Sequence, residues 1–234
     1  QAMRVVPREN EDINEVWLSD RDRFSYEGLT HIDRLQSPMV KVDGEWQNVD
    51  WETGLQAAVD AIRAVIDGHG ADQIGVLVSP TSTLEEMSLV QAVARGIGIN
   101  NIDHRLRQVD FSDQDNAPLC PTLGQTVASL ESVDAALVIG GNPRKDQPII
   151  GHRLRKAAVA GAKISFINPV DYEFLFDVHA ACVEAPSNMV AALAAVASCF
   201  PDAGSGASDS VKQAISSASP NETQRSIAEA LKDG

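Results

Sequence analysis

The chain has 234 residues, with 33 acidic and 19 Lys or Arg side chains and a formal net charge of −14. An acidic surface disfavours nucleic acid as a partner, because phosphate binding needs a basic face. No apolar run reaches the roughly 20 residues that span a bilayer, and residues 1–11 are too polar for a signal peptide. We therefore expect a cytoplasmic protein or a soluble domain of something larger, without membrane insertion.

The three cysteines, Cys120, Cys182 and Cys199, are odd in number and widely spaced. A disulfide framework needs an even, dense set, and a four-thiolate cluster needs four ligands. The sequence therefore favours buried, reduced thiols without a metal or catalytic role.

The first 50 residues are rich in charged and aromatic side chains and differ from the rest. Asp43-Gly44 lies between two short extended runs, which predicts a β-hairpin. We expect a small strand-and-loop region that packs on a larger body.

The body begins with helix and strand patterns in turn. A helical apolar spacing predicts an amphipathic helix from about Asp50 to the glycines at 68–70. The continuous apolar run at 74–78 predicts a strand buried on both faces. Two overlapping capping boxes within residues 82–86, Ser82 with Glu85 or Thr83 with Glu86, predict a helix that ends near Gly96.

The strand–turn–helix unit then recurs. The run at 135–139 predicts a strand, and Asp146 with Pro148 predicts the start of a helix that ends at Gly161. Residues 163–167 predict the next strand. Strand, helix and strand at this spacing are typical of a parallel sheet with helices on both faces, so the predicted class is α/β.

The C-terminal part is expected to be loosely attached. Asn188 is predicted to cap an Ala-rich helix, and the Gly/Ser-rich stretch at 202–208 is typical of a linker. The helix predicted at 223–232 has little beyond it to pack on. The expected divisions are an N-terminal strand-and-loop region at 1–50, an α/β domain at 51–200, and a linker with the start of a following unit at 201–234.

Three sets of side chains could carry chemistry, and each has a plainer interpretation. They are the acidic run Asp103, Asp110, Asp113 and Asp115 with His104, the lone histidines His152 and His179, and Ser19. The acidic run lacks calcium-loop spacing, the histidines have no His or Glu at i+4, and the serine lacks a nucleophile-elbow motif. We therefore expect no catalytic residue and no metal ligand.

The turn Gly140-Gly141-Asn142-Pro143 is a stronger candidate. It follows the carboxyl end of a predicted strand, where open α/β sheets bind ligands, and its glycines permit close approach of backbone to a ligand. The same glycines would also serve a tight turn alone. Neither a G-x-G-x-x-G motif nor a phosphate-binding P-loop follows any predicted strand.

Four stretches resemble the large iron–sulfur subunit of respiratory complex I, the G chain of bacterial NADH-quinone oxidoreductases. They are Glu11–Leu29 (EDINEVWLSDRDRFSYEGL), Pro121–Gly124 (PTLG), Ile139–Pro148 (IGGNPRKDQP) and Ile167–Tyr172 (INPVDY). The likeness runs to about residue 200. More broadly, the chain is similar to the molybdopterin oxidoreductases, in which a G-x-N-P turn and a strand ending in Asp-Pro-Arg line the pterin-guanine dinucleotide.

This resemblance implies an α/β fold of the formate dehydrogenase/DMSO reductase type (its domains 1–3). It also implies iron–sulfur clusters in an N-terminal region outside this stretch, and none within it. Ser19 stands at the position that resembles the fourth cluster cysteine of relatives, and a serine hydroxyl is a poor substitute for a cluster thiolate.

The resemblance also identifies a pterin-site remnant. Its residues would be Gly140, Gly141, Asn142, Pro143, Asn168 and Asp171. Because Asn168-Pro169-Val170 replaces the relatives' Asp-Pro-Arg, the carboxylate for a guanine edge and the phosphate-binding arginine are absent. We therefore expect a vestigial groove without a cofactor.

The function that the resemblance implies is that of a scaffold within NADH-quinone oxidoreductase. The whole enzyme passes electrons from NADH through iron–sulfur clusters to quinone and translocates protons. Its partners would be other subunits of the peripheral arm, at the cytoplasmic face of the inner membrane. Two alternatives stay open: a domain that binds molybdopterin-guanine dinucleotide, and an α/β binding domain for an unknown ligand.

Overall fold

The computed structural model describes residues 2–105 and 121–233. Their contacts define two compact units, one made of residues 1–29 and 122–234 and the other of residues 30–121. These bounds differ from the expected divisions at residues 50 and 200. The reason is that the N-terminal segment and the C-terminal helices both contact elements between residues 131 and 183.

The unit of residues 30–121 contains two α-helices and two pairs of strands among its described residues. They are β1 (Met39–Val42), β2 (Glu45–Asn48), α2 (Trp51–His69), β3 (Gly75–Leu77), α3 (Leu84–Gly96) and β4 (Asn101–Asp103). β1 and β2 form the predicted antiparallel hairpin. Asp43 and Gly44 have φ of 50° and 89°, the left-handed conformation that a two-residue hairpin turn favours.

Both helices of this unit begin at a side-chain cap. The Asp50 side chain accepts a hydrogen bond from Thr53 N at 2.8 Å at the start of α2. At the start of α3, Thr83 and Glu86 form the reciprocal capping box, so this pair, and not Ser82 with Glu85, is the one used.

The predicted strand at 74–78 is present as β3, but the prediction that it is buried on both faces was wrong. β3 has three residues and pairs in parallel with β4, which was not predicted. The Leu77 side chain is 61% exposed. Within its unit, this two-stranded sheet therefore leaves apolar side chains uncovered.

The other unit is built on a parallel sheet of three strands in the order β5-β6-β7. Its elements in chain order are α1 (Asp20–Phe24), β5 (Ala135–Ile139), α4 (Pro143–Asp146), α5 (Pro148–Val159), β6 (Lys163–Asn168), β7 (Ala180–Val183), α6 (Met189–Ala197), α7 (Asp209–Ser216) and α8 (Glu222–Asp233). β5, α5 and β6 follow the predicted order, whereas β7 and the one-turn α4 were not predicted.

Alternate side chains of the central strand β6 enter two separate cores. Ile164 and Phe166 pack with Leu154 of α5 on one face. On the other face, Ile167 packs with the buried side chains of α6 and α8. Helices thus cover both faces of this sheet, as the period-two burial of a central parallel strand requires.

The expectation that the last helix has little to pack on was wrong. Ile227 and Ala228 of α8 are fully buried in the core with Ile167 and Val196. α8 has an apolar stripe on an otherwise polar helix, and the sheet face beneath it supplies the partner that sequence inspection did not identify. The predicted linker at 202–208 forms turns up to residue 206 and leads into α7.

Two predicted helix caps also need correction. Asp146 does not cap α5, whose N-cap position is Gln147, without a side-chain cap bond. Instead, the Asp146 carboxylate accepts a hydrogen bond from Asn142 N at 3.0 Å and closes the turn before α4. Asn188 occupies the N-cap position of α6, but its side chain makes no cap bond.

None of the helices in the described part of the chain is both long enough and apolar enough to cross a membrane.

Candidate functional site

Turns that follow β5 and β6 meet at the carboxyl edge of the three-stranded sheet. Gly140 N donates to Ile167 O at 2.9 Å, and Asn168 Nδ2 donates to Gly141 O at 3.0 Å. Gly140 has φ of 67°, a conformation that favours glycine. The two contacting turns therefore contain five of the six candidate residues: Gly140, Gly141, Asn142, Pro143 and Asn168. Asp171, the sixth, is exposed and lies three residues after Asn168.

Amide oxygens at this edge are buried without partners. Oδ1 of Asn142 and Oδ1 of Asn168 have no hydrogen bond, which is an unusual state for buried polar atoms. The adjacent cavity, lined in part by Asn168, Val170 and Asp171, has a volume of about 50 Å³. Organic ligands usually occupy pockets of about 300–1,000 Å³.

A second arrangement lies where the N-terminal segment contacts α5. The chain folds back between Asn10 and Glu15, with Glu15 N donating to Asn10 O at 2.8 Å and Asn10 N donating to Glu15 O at 2.9 Å. Glu15 has φ of 51°, in the left-handed region. Asn14 Nδ2 donates to Arg8 O at 3.0 Å and to Trp17 O at 2.9 Å, which holds both flanks of the turn.

Arg153 of α5 binds this turn. Its side chain is 3% exposed, and its Nη2 donates to Glu11 O at 2.6 Å and to Ile13 O at 2.9 Å. Its Nη1 lies 3.4 Å from Glu15 Oε1 and also contacts the Glu131 carboxylate. The buried guanidinium therefore binds both the backbone and the side chain of the turn.

Two further side chains of α5 bind the same carboxylates. Lys156 Nζ lies 2.5 Å from Glu15 Oε1 and 2.7 Å from Glu131 Oε1. His152 Nε2 lies 2.9 Å from Glu15 Oε2, and the His152 ring lies 5.3 Å from the Trp17 ring between centroids. We name Glu15, Glu131, His152, Arg153 and Lys156 the α5 ion network.

The network shifts the acidity of its members. Hydrogen bonds from Lys156 and then His152 lower the pKa of Glu15 from 4.5 to about 2. The Lys156 hydrogen bond also lowers the pKa of Glu131, and the bond to Glu131 raises the pKa of Lys156. Each shift favours the charged form, so Glu15, Glu131 and Lys156 are charged near neutral pH.

Comparison with known proteins gives this geometry a family context. Residues 34–226 match the family model Molybdopterin oxidoreductase. The chain belongs to the molybdopterin oxidoreductase family. Residues 1–27 match a second family model, described as NADH-ubiquinone oxidoreductase NDSU1/NuoG-like, 4Fe-4S domain.

Two curated relatives show the extent of the match. The chain is 33% identical over 162 residues to the NADH-quinone oxidoreductase G subunit of Rickettsia bellii, which covers 69% of this chain and 23% of that protein. It is 32% identical over 177 residues to mitochondrial NADH dehydrogenase [ubiquinone] iron-sulfur protein 1 of Solanum tuberosum, covering 72% and 22%. The chain thus spans about a quarter of the length of these relatives, and it is homologous to a part of the G subunit, as the resemblance predicted.

The carboxyl edge of this molybdopterin oxidoreductase family member does not fit a pterin dinucleotide. The cavity beside Asn168 is too small, and the two unpartnered amide oxygens at the turns are shielded from solvent. The half-exposed Val170 brings no charge to a phosphate.

The segment that matches the 4Fe-4S model does not fit a cluster by itself. Ser19 is the N-cap of α1: its Oγ accepts from Asp22 N at 3.1 Å and donates to Asp22 Oδ2 at 2.6 Å. Across residues 2–105 and 121–233, no group of three or more His, Cys, Asp or Glu side chains could hold a metal ion.

The remaining candidates have local roles. Asp103 accepts hydrogen bonds from His104 N and Arg105 N, and His179 pairs with Ser226 Oγ at 3.1 Å. Cys182 is a free thiol whose pKa is raised by burial, and Cys199 is also free. The predictions for Asp110, Asp113, Asp115 and Cys120 fall outside the described residues.

From the sequence, His152 was a lone histidine without an expected catalytic or metal role, and four other members of the ion network were missed: Glu15, Glu131, Arg153 and Lys156. Charged residues at helical spacing usually face solvent, so the pattern of α5 alone gives no signal. The composition of the surrounding stretch does give a signal for the ion network. Residues 144–156 carry five Lys or Arg and one acidic residue, which is unusual in an acidic chain.

Proposed function

We propose that the chain is a scaffold segment of the G subunit of an NADH-quinone oxidoreductase, without redox ligands of its own. The α5 ion network carries this proposal. Glu15 lies within residues 1–27, which match the 4Fe-4S domain model, whereas Arg153 and Lys156 lie in the part that matches the molybdopterin oxidoreductase model. The network therefore connects, within one compact unit, residues that match two different family models.

The contacts of the α5 ion network are better suited to fixing the N-terminal segment on α5 than to catalysis. Arg153 is buried, so its bonds to Glu11 O and Ile13 O form in a site shielded from water, where they are strong and directional. His152, Arg153 and Lys156 bind the Glu15 carboxylate and Arg153 also binds the backbone of the turn, which together fix one orientation of the segment. Functional constellations need such support from rigid elements.

The wider setting follows from the relatives' names. The G subunit of NADH-quinone oxidoreductase in Rickettsia bellii belongs, by its name, to an enzyme that oxidises NADH with quinone. We propose that this chain works in such an assembly, at the cytoplasmic face of the inner membrane, with other peripheral-arm subunits as partners. Iron–sulfur clusters would be held elsewhere in the same polypeptide. The three-stranded sheet would be part of a formate dehydrogenase/DMSO reductase-like arrangement.

The scaffold proposal is tested in the assembled complex with Glu15→Gln. Gln keeps the size of the side chain but removes the charge that Lys156 and Arg153 bind, so the segment of residues 10–24 should be held less firmly. We expect less assembled complex on native gels and slower quinone-dependent NADH oxidation. Glu229→Gln is the matched control, because Glu229 is exposed on α8 and has no ion pair within the described chain.

Normal assembly and activity of the Glu15→Gln complex would overturn the scaffold role. The alternative, a pterin-binding domain, is tested separately by titrating guanosine diphosphate against the chain and following its melting temperature. A ligand that binds the folded state raises that temperature. We expect no shift, and a saturable rise at micromolar nucleotide, with molybdenum in the purified chain, would favour the alternative.

A further inference from the structure

A cavity of about 190 Å³ lies beside α5, and Pro143 and Arg144 of the turn after β5 form part of its lining. Its wall is largely apolar, and its charged side chains are cationic. The lining residues that matter here are Pro148, His152, Phe174 and Phe176 together with the guanidiniums of Arg144 and Arg155. The cavity shares His152 with the α5 ion network and Pro143 with the candidate pterin remnant, but neither role accounts for its aromatic wall or for Arg155.

The apolar side of the cavity is built rigidly. Phe174 stacks on Phe166 with ring centroids 4.2 Å apart and on Phe176 with centroids 5.5 Å apart. α4 and α5 meet closely at Gly151, where a Cβ atom would lie 2.9 Å from Pro143 O. The aromatic stack and this close helix contact therefore hold the cavity open in one shape.

The two arginines at the cavity have unused binding capacity. Arg144 donates one bond to Glu173 O and Arg155 donates one bond to Leu175 O, each at 3.3 Å. In the described chain, neither pairs with a carboxylate, although Arg153 and Lys156 on the same helix do. Each guanidinium has five N–H donors and matches carboxylate geometry, so the cavity presents two free anion-binding groups in a chain of net charge −14.

The size of the cavity limits what enters it. It is smaller than the roughly 300–1,000 Å³ of organic-ligand pockets, yet it has room for one ring. A buried aromatic anchor with charged neighbours at its rim is the usual form of a protein–protein hot spot. A flat side chain would stack on Phe174 and Phe176, and carboxylates next to it would bind Arg144 and Arg155.

We propose that this cavity docks an acidic–aromatic segment of another protein subunit, with one aromatic side chain in the cavity and flanking carboxylates on Arg144 and Arg155. The inference rests on the proposed function, since it assigns a partner surface to a subunit of a complex. His152 lines the cavity and also binds Glu15, so the docked segment would lie next to the α5 ion network.

The test is a titration of the isotopically labelled 234-residue chain with the capped peptide Gly-Asp-Phe-Asp-Gly, followed by NMR shifts of the Gly151 and Leu175 amides. We expect saturable shifts. Arg144→Gln/Arg155→Gln should weaken binding about tenfold or more, because charge-assisted bonds are lost. Arg63→Gln/Arg95→Gln is the control, since it removes the same charge from exposed positions in the other unit. Both pairs are exposed, so the fold should be kept, and far-ultraviolet circular dichroism checks this.

Peptide controls separate the parts of the proposal. A peptide with Lys in place of both Asp should not bind, and one with Ala in place of Phe should bind much more weakly. Equal binding of either peptide would overturn the proposal, as would an Arg144→Gln/Arg155→Gln variant that binds like the control. Phenylacetate that binds as tightly as the peptide would identify a small-molecule site and would also overturn it.

A crosslinking experiment in the assembled complex tests which partner occupies the cavity. A photo-crosslinking amino acid at Leu175, which is 61% exposed at the cavity, should link to another subunit next to an acidic–aromatic stretch. Absence of that link while the peptide still binds would overturn the assigned occupant. The Glu15→Gln experiment reports on scaffolding alone, whereas the peptide titration needs only the isolated chain, so failure of one proposal is distinguishable from failure of the other.

Discussion

The N-terminal segment and the C-terminal helix join the same compact unit by different forces. Residues 10–24 are held on α5 by Arg153 and the carboxylates of the ion network. α8 is held on the opposite sheet face by Ile227, Ala228 and Ala230, which are almost completely buried. One attachment is made largely of charges and the other of apolar area.

The two attachments respond differently to pH and salt. Apolar burial near room temperature depends little on pH or moderate salt. A charge network depends on the ionisation of its members, and its exposed parts are screened by salt. α8 therefore behaves as part of the core, whereas the N-terminal segment is an attachment whose strength solution conditions and single charges can change.

The largest effect is expected at the apolar attachment. Ile227 is fully buried, so Ile227→Ala should lower the free energy of unfolding by about 4 kcal/mol, through lost burial and the cavity left behind. Urea denaturation followed by circular dichroism measures this change. The control is Val211→Ala on α7, because Val211 is 46% exposed and should change stability by only a few tenths of a kcal/mol. Similar values for the two variants would mean that α8 does not dock on the sheet.

The next effect concerns the ionic attachment. Arg153→Met keeps an unbranched side chain but leaves Glu11 O and Ile13 O without their donor. Removing one partner of a buried ion pair costs about 3 kcal/mol. We expect this loss in the local opening of residues 10–24, measured by amide hydrogen exchange at Asn14 and Glu15.

Arg155→Met on the same helix is the matched control for Arg153→Met, because the exposed Arg155 makes one backbone bond. Its exchange rates at Asn14 and Glu15 should equal those of the unchanged chain. If Arg153→Met increased amide exchange more in the α8 core than at the N-terminal turn, the assignment of this arginine to the N-terminal attachment would be contradicted.

Much of the fold follows from local sequence signals. The Asp43-Gly44 turn, the Thr83–Glu86 capping box and the apolar run of β5 each carry their information within a few residues. β7 and α8 do not, because a four-residue strand and a helix with a narrow apolar stripe become stable only through partners distant in sequence.

The candidate site divides in the same way. The meeting of Gly141 with Asn168 follows from topology, since turns after adjacent parallel strands share one sheet edge. The pairing of Glu15 with His152 and Lys156 joins positions that are 137 and 141 residues apart. A single sequence gives no rule for such a contact, and charged side chains usually face solvent, so this part required the structure.

The pH dependence of the ionic attachment should separate it from the apolar one. The pKa of Glu15 is lowered from 4.5 to about 2 in the folded chain. A lowered carboxyl pKa contributes stability that is fully present above the unfolded value and is lost as pH falls through the folded value. The N-terminal segment should therefore loosen progressively between about pH 4.5 and pH 2.

Glu15→Gln provides the comparison, because it removes this titrating group. Hydrogen exchange of residues 10–24 should then show a smaller pH dependence between pH 4.5 and 2, while exchange in α8 is unchanged. An unaltered pH profile at the N-terminal turn would show that Glu15 does not determine the acid response of this attachment.

The smallest effect is expected at Ser19, within the ionically attached segment but outside the ion network. Its hydroxyl caps α1 by accepting a bond from Asp22 N at 3.1 Å. Ser19→Ala should cost about 1 kcal/mol of local stability, as for other lost N-caps, and Ser19→Thr, which keeps a hydroxyl, should cost less. Ser25→Ala is the control, because Ser25 is exposed and its hydroxyl binds only Asp22 O, at 3.3 Å. Amide exchange at Asp22 and Arg23 measures the change. If Ser19→Ala loosened the turn at Asn10–Glu15 as strongly as Arg153→Met, the segment would be held through its α1 cap, and the contrast between an ionic and an apolar attachment would not hold.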